Sequence, residues 1–349
     1  MDREKKILIK NVEIYQEDED HVLIGNTILN QYIRLHTSNK DCIEKLLLQY
    51  DGKNDRHDIE KYCSTNNISI NLDILERQLQ VRGFFQTEKL EKVNEIENLG
   101  IKIFLRINDQ KPNKRIHNIC KGVSYFGYFL FYICSVYLLL HFRIVTSFFN
   151  EELLKYHNSY SLGIITTIVC SYIILFMHEM AHVILGYAEG LTLHKVGLYM
   201  YMGVIPQWFV SFRGIWKAKK KSRLKIYSAG IVLNFLVVLI CCIASEYSTH
   251  TDLLKSIGVG SLFMGINSLF PFNLTDGYFL FSMLLSQENL RQDMIVEMYN
   301  FAHFKFNKKK GVLYFYSLVN ILFYGMKLWF CYYWLFRLLL EYTRYAIVL

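Results

Sequence analysis

Two histidines and a glutamate occur together in the segment His178-Glu179-Met180-Ala181-His182. On a helix, residues four apart lie on one face and one turn apart, so the two imidazoles can bind a single Zn²⁺. The Glu179 carboxylate lies beside that face, where it can take a proton from an attacking water. This spacing predicts a hydrolytic zinc site with His178 and His182 as ligands and Glu179 as the base.

The setting of this motif points to a membrane. The residues before it, 162–177, are almost wholly apolar, and ionisable side chains within lipid are costly enough to indicate function. The whole chain has 349 residues, of which 52% are hydrophobic, with 25 Phe and 25 Tyr. This composition excludes an ordinary soluble domain and is typical of a membrane protein with a soluble region attached.

Five apolar runs are long enough to cross ~30 Å of hydrocarbon as helices. These runs are 123–141, 162–188, 226–244, 254–285 and 312–340. Pro271 and Gly277 predict an interruption within the fourth run. Lys and Arg are concentrated before the first run and after the second and fourth, which predicts a cytosolic N-terminus and an external C-terminus. We therefore expect an α-helical polytopic protein of the cell membrane, with about five transmembrane helices.

The N-terminal region predicts a small α+β domain on the cytosolic side. A strand is expected at 32–35, followed by three short helices near 43–47, 57–63 and 71–83. Strands with three short helices resemble a winged-helix unit, and they also resemble the domain that binds leader peptides in peptide-modification systems. The third helix has few basic residues, which favours peptide over nucleic acid as its ligand.

The predicted domain organisation follows from the contrast between the charged N-terminal residues and the long apolar runs of the remainder. Residues 1–95 form the cytosolic winged-helix-like domain for peptide recognition, residues 96–121 a linker, and residues 122–349 a membrane domain that carries the site. The basic cluster at 217–225 lies between two spans, where attraction to lipid headgroups explains it better than nucleic acid does.

A catalytic zinc site needs a third protein ligand and a position for water. Asp276 is the best candidate, because a carboxylate in so apolar a stretch requires a partner such as a metal. Counted back from the basic loops that follow them, Asp276 and His178 lie at a similar depth, nearer the cytosolic face. The alternative is that Asp276-Gly277 forms only a turn at a helix end. One Zn²⁺ is the expected cofactor, although ligand type alone leaves iron or cobalt open.

These motifs resemble the site-2 protease family of intramembrane zinc metalloproteases, and in particular its peptide zinc metalloprotease branch. That family has H-E-x-x-H in one span, A-G-P-x-x-N in a middle span, and N-x-x-P before a later D-G. Here residues 229–234 read A-G-I-V-L-N, and Asn267 precedes Pro271 and Asp276-Gly277. The resemblance covers roughly residues 160–295.

The resemblance implies a role for each matching residue. His178, His182 and Asp276 would be the metal ligands and Glu179 the base, whereas Asn234 and Asn267 would contact the substrate or its oxyanion. The chain departs from the family pattern at Ile231, where the family has Pro, and at Asn267, which lies nine residues before Asp276.

The expected function is zinc-dependent cleavage of a small membrane-associated or ribosomally made peptide, modified or not, during maturation or export. The implied partners are a peptide substrate, membrane lipid, and a peptide-modifying enzyme or exporter, but no nucleic acid. One alternative is a signalling protease that clips a membrane-tethered regulator such as an anti-sigma factor. Another is a non-enzymatic peptide-binding immunity or transport partner, against which the intact Glu179 argues because a purely structural site needs no such carboxylate.

Overall fold

The computed structural model describes residues 6–8, 12–17, 19, 21–26, 31–37, 39–66, 68, 70–81, 83–85, 103–105, 111–149, 155–157, 159–201, 205–270, 275–285, 299 and 311–348. The chain forms two compact units. The first comprises residues 1–113 and 189–223, and the second comprises residues 114–188 and 224–349.

The first unit begins with a three-stranded antiparallel sheet followed by three helices. Its strands are β1 (Val12–Gln16), β2 (His21–Asn26) and β3 (Gln31–His36), with β2 in the centre. Its helices are α1 (Lys40–Leu47), α2 (Arg56–Thr65) and α3 (Leu72–Val81). Side chains of the sheet and of all three helices share one apolar core, with Ile24, Leu46 and Leu79 fully buried. The strand and helices predicted here are confirmed, and the winged-helix assignment stays a prediction.

Local sequence explains where these helices begin and end. Asp55 and Asp58 form a reciprocal capping box at the start of α2. At the start of α3, the Asn71 side chain accepts a hydrogen bond from the Ile74 backbone at 3.1 Å, as its position in the sequence predicts. Gly83 follows α3 with φ +70°, a left-handed conformation that glycine adopts without strain.

A second antiparallel sheet belongs to the same unit. It contains β4 (Ile103–Leu105), β5 (Thr192–Tyr201) and β6 (Ile205–Arg213), in the order β4-β5-β6. A short 3₁₀ turn follows at Ile215–Lys217. Of the predicted linker 96–121, residues 96–102 and 106–110 lie outside the described residues.

Trp216, in the 3₁₀ turn, packs against the N-terminal sheet. Its indole is fully buried and lies against Gly25, where a Cβ atom would overlap the ring. Tyr32 stacks on the same indole with a centroid distance of 6.5 Å. The 3₁₀ turn that follows β6 therefore packs on the N-terminal strands, within the same unit as the β5–β6 hairpin.

The second unit contains seven helices among the residues that the structure describes, counting α7, which starts in the first unit. They are α4 (Lys114–Leu140), α5 (Phe142–Phe148), α6 (Tyr160–Ala188), α7 (Lys220–Ser245), α8 (Thr251–Leu269), α9 (Asp276–Leu284) and α10 (Gly311–Val348). Helix α6 packs against both α4 and α8.

Three of these helices, α4, α6 and α7, are long and apolar enough to cross a membrane, which is fewer than the five predicted. The first three predicted runs correspond to them, the first extending one residue beyond the end of α4. The fourth run is not one span, because α8 ends at Leu269 and α9 begins at Asp276. The predicted interruption is therefore present, although Pro271 itself lies outside the described residues. The fifth run lies within α10, whose crossing of a membrane stays a prediction.

Helix α7 is the most enclosed of the three. Half of its most apolar stretch is buried within the protein, against 11% for α4 and 17% for α6. Many apolar side chains of α4 instead face outward, for example Phe126 and Leu139. Such a surface fits lipid around α4 and α6, with α7 in the interior.

Candidate metal centre

Three predicted ligands from two separate elements meet in the second unit. His178 and His182 lie one turn apart on α6, and Asp276 is the first residue of α9. Oδ2 of Asp276 is 2.9 Å from Nε2 of His178 and 3.2 Å from Nε2 of His182. The two Nε2 atoms are 3.3 Å apart. The predicted association of these three side chains, across almost a hundred residues of chain, is thus present.

The distances between the three candidate ligand atoms fit a metal ion of zinc size. Ligand atoms in a tetrahedral zinc site, with bonds of about 2.0–2.1 Å, lie about 3.3 Å from one another. The three separations in this protein, 2.9, 3.2 and 3.3 Å, are close to that value. Both imidazoles are buried, and the carboxylate is 18% exposed on its side chain. A buried His–His–Asp group of this kind could hold a metal ion, and three protein ligands in a tetrahedral site leave a fourth position for water.

A backbone carbonyl orients His182. Its Nδ1 lies 2.7 Å from the carbonyl oxygen of Ile226 on α7. Because a carbonyl oxygen only accepts, Nδ1 carries the ring proton and donates it, which leaves a lone pair on Nε2. That lone pair points at the other two ligand atoms. Ligand histidines in metal sites are commonly fixed by a hydrogen bond of this kind.

Two residues of α7 enclose the ring of His178. Gly230 lies directly against the imidazole, and a Cβ atom at this position would overlap the ring. Asn234, one turn further along, places its Nδ2 atom 3.0 Å from Nδ1 of His178. Ile226, Gly230 and Asn234 follow one another at intervals of four residues. They therefore lie on one face of α7, which is turned toward the two histidines.

The start of α9 positions Asp276. Thr275 precedes it, and the Thr275 hydroxyl donates to the carbonyl oxygen of Phe270 at 2.6 Å. Gly277 follows it, and a Cβ atom there would overlap the carbonyl of Leu269 at the end of α8. The carboxylate also lies at the positive end of the α9 dipole, where negative charge is favoured. The Asp-Gly pair thus combines a ligand with the small residue that lets two helix ends meet.

Glu179 lies next to the first ligand on α6 and is half-buried. Its carboxylate is within electrostatic range of the His182 ring. A carboxylate beside the ligands, and not among them, has the placement that a proton acceptor needs. Its role as the base stays a prediction.

The two predicted asparagines have different surroundings. Asn234 is fully buried and touches His178, so its side chain lies on the side of that ring that faces away from His182 and Asp276. Asn267 is half-buried in the last turn of α8, two residues before that helix ends. Contact of either residue with substrate stays untested.

Sequence reasoning missed the structural roles of Ile226 and Gly230. A backbone carbonyl leaves no trace in the side-chain pattern, so Ile226 could not be identified. Gly230 was noted only as part of a motif, although its position four residues before Asn234 places both on one face of the helix. That spacing was the available signal. In comparisons with known proteins, no family profile, curated protein or solved structure matches the chain.

Proposed function

We propose that this chain is an intramembrane zinc metalloprotease that cleaves a small peptide. The observation that carries the proposal is the close approach of His178, His182 and Asp276 inside a bundle of apolar helices. Buried ionisable groups are costly in such a place unless they serve a metal or a reaction. The motif at 178–182 and the resemblance to the site-2 protease family support hydrolysis as that reaction.

The chain's own residues supply the remaining chemistry. Zinc held by His178, His182 and Asp276 would act as a Lewis acid that polarises the scissile carbonyl and lowers the pKa of water. Glu179 takes the proton from the attacking water and hands it to the leaving amine. The Ile226 carbonyl keeps His182 in the tautomer that this arrangement requires.

The substrate must present an accessible peptide bond. An intact transmembrane helix shields its peptide bonds by internal hydrogen bonds, so a locally unwound helix or a flexible peptide is the better substrate. A ribosomally made peptide, cut during maturation or export in the cell membrane, meets this need. The N-terminal unit, on the cytosolic side, would then bind the peptide or its leader, beside a modifying enzyme or exporter.

Replacing Glu179 with Gln tests the proposed base. The amide has nearly the same shape but cannot accept the proton, so zinc should stay bound while cleavage is lost. Mass spectrometry of small membrane-associated peptides would compare cells producing the wild-type chain with cells producing Glu179→Gln. We expect the uncut precursor to accumulate in the variant.

Two results would contradict the proposal. The assignment of Glu179 fails if the variant cleaves at the wild-type rate. The enzyme itself is ruled out if the wild-type chain holds zinc tightly but the peptides of cells with and without it are identical. That second result would favour the non-enzymatic peptide-binding role, whereas a shortened membrane-tethered regulator among the products would favour the signalling protease.

A further inference from the structure

The carboxamide of Asn234 lies beside Nδ1 of His178, the ring nitrogen that faces away from His182 and Asp276. Its Nδ2 atom lies 3.0 Å from Nδ1 of His178. In the described part of the chain, Nδ1 of His178 has no other hydrogen-bond partner. The Oδ1 atom of Asn234 is buried as well and makes no hydrogen bond within those same residues. A buried carboxamide with a free oxygen therefore stands beside the ring.

The chemistry of a ligand histidine gives this oxygen a use. A histidine that binds a metal through Nε2 carries its proton on Nδ1, so Nδ1 needs an acceptor. The Ile226 carbonyl is that acceptor for His182. For His178 the carboxamide is suited to the same task, because rotation about its Cβ–Cγ bond exchanges the donor Nδ2 and the acceptor Oδ1.

Packing against α8 fixes the position of Asn234. The Ser261 hydroxyl, itself fully buried, donates to the backbone carbonyl of Asn234 at 2.9 Å. One turn further along α8, a Cβ atom at Gly265 would lie only 3.2 Å from Cβ of Asn234. Small residues let the two helices approach closely, so the carboxamide has few alternatives to its place beside the ring.

We propose that Asn234 is a positioning residue of the metal centre. Its Oδ1 accepts the Nδ1 proton of His178 and so holds the lone pair of Nε2 toward His182 and Asp276. The inference deepens the proposed function and rests on the metal centre described there. It assigns Asn234 to the support of His178, in place of the contact with substrate or oxyanion that the family resemblance implies.

Three variants of the full chain, purified in detergent, test this role. Asn234→Leu keeps the number and branching of the side-chain heavy atoms but removes the acceptor, and we expect zinc to bind roughly 10- to 100-fold more weakly. Asn234→Asp keeps an acceptor and should restore affinity close to that of the wild type. Asn320→Leu is the matched control, since Asn320 is also buried in a helix of this unit and donates to the Tyr316 carbonyl, with no hydrogen bond to the His–His–Asp group among the described residues. Its zinc affinity should be unchanged.

Zinc affinity is measured by competition with a chelating dye, and ligand geometry by the visible absorption spectrum of bound Co²⁺. We expect the Co²⁺ spectrum to change in Asn234→Leu and to be kept in Asn234→Asp and Asn320→Leu. The inference is overturned if Asn234→Leu binds zinc as tightly as the wild type, or if Asn234→Asp is as weak as Asn234→Leu.

The same experiment separates this inference from the proposed function. A wild-type chain that binds zinc more tightly than Asn234→Leu but cleaves no peptide would support the positioning role while the protease proposal fails. If the wild-type chain cleaves peptide but Asn234→Leu binds zinc as tightly as the wild type, the protease proposal is supported and the positioning role fails. A wild-type chain without affinity for zinc would overturn both.

Discussion

At Gly230, the backbone of α7 comes directly against the ring of His178, so the position of this predicted ligand depends on a residue without a side chain. Any side chain there would occupy the space of the imidazole. The ring cannot yield easily, because both of its nitrogens have partners, Asn234 on one side and Asp276 on the other. Metal sites tolerate ligand displacements of only about 0.2 Å, so this small contact decides affinity.

Gly230→Ala should therefore lower zinc affinity by at least about tenfold, a loss typical of displaced ligand support. Gly122→Ala on α4 is the control, because a Cβ atom at Gly122 meets nothing within 4 Å. Both variants replace a helical glycine by a better helix former, so a difference between them reports the contact with His178. Zinc affinity is measured by dye competition. Equal affinity in the two variants would show that an added methyl group at Gly230 does not displace the His178 ring.

At the residue scale, the sequence predicts the side chains with metal chemistry but not what holds them. His178, His182 and Asp276 are detectable because titratable groups stand out in apolar surroundings. The Ile226 carbonyl is invisible, since every residue has one. Asn234 stands out through its place in the family motif, but its partner depends on how α6 and α7 face each other, which a single sequence does not specify.

At the scale of elements, the junction of α8 and α9 brings the carboxylate of Asp276, the third predicted ligand, to the two histidines. Gly277 lies so close to the carbonyl of Leu269 that only a residue without Cβ fits. Backbone atoms form this contact, so no side-chain rotation can relieve an added methyl group. The position of Asp276 therefore depends on its neighbour.

Gly277→Ala should move α9 away from the end of α8 and take the Asp276 carboxylate out of reach of the histidines. We expect at least tenfold weaker zinc binding, with the helices still formed because Ala favours helix over Gly. Circular dichroism would check the helix content, and dye competition the affinity. Gly325→Ala in α10 is the control, where a Cβ atom meets nothing within 4 Å. Wild-type affinity in Gly277→Ala would refute the role of this junction.

Elements with strong local signals are predictable from the sequence. The helices α4, α6 and α7 follow from their apolar runs, and the break before Asp276 follows from Pro271 and Gly277. The number of spans is harder to predict, since α8 contains Asp252, Lys255 and Asn267 among apolar residues. Hydrophobic periodicity does not say whether such a helix crosses the membrane or only packs within the bundle.

At the scale of the whole molecule, a long-range association inside the first unit was not predictable. The segment between α6 and α7 packs with the N-terminal strands through Trp216, which lies directly against Gly25. In the sequence, the basic residues of this segment predict a position beside lipid headgroups and give no sign of this association. Arg223 pairs with Glu17, which also pairs with Arg34, and all three side chains are largely buried. Partners so far apart in sequence carry no local signature.

Trp216→Ala should weaken this unit, because a fully buried indole lost from a core costs about 3–5 kcal/mol. We expect faster amide hydrogen exchange in β2 and β3, measured by mass spectrometry on the full chain. Leu48→Ala is the control, since Leu48 is 70% exposed and its loss should leave exchange unchanged. Equal protection of β2 and β3 in both variants would contradict the packing described for Trp216.

The metal content of the purified chain tests the central claim most directly. Elemental mass spectrometry should find about one equivalent of zinc bound to the purified wild-type protein. We expect this because three candidate ligand atoms within 3.3 Å of one another match a tetrahedral site. Asp276→Ala removes a ligand more than ninety residues from the histidines in sequence, and should lose most of that zinc. A wild-type chain without zinc, or an Asp276→Ala variant that holds it as tightly as the wild type, would contradict the account.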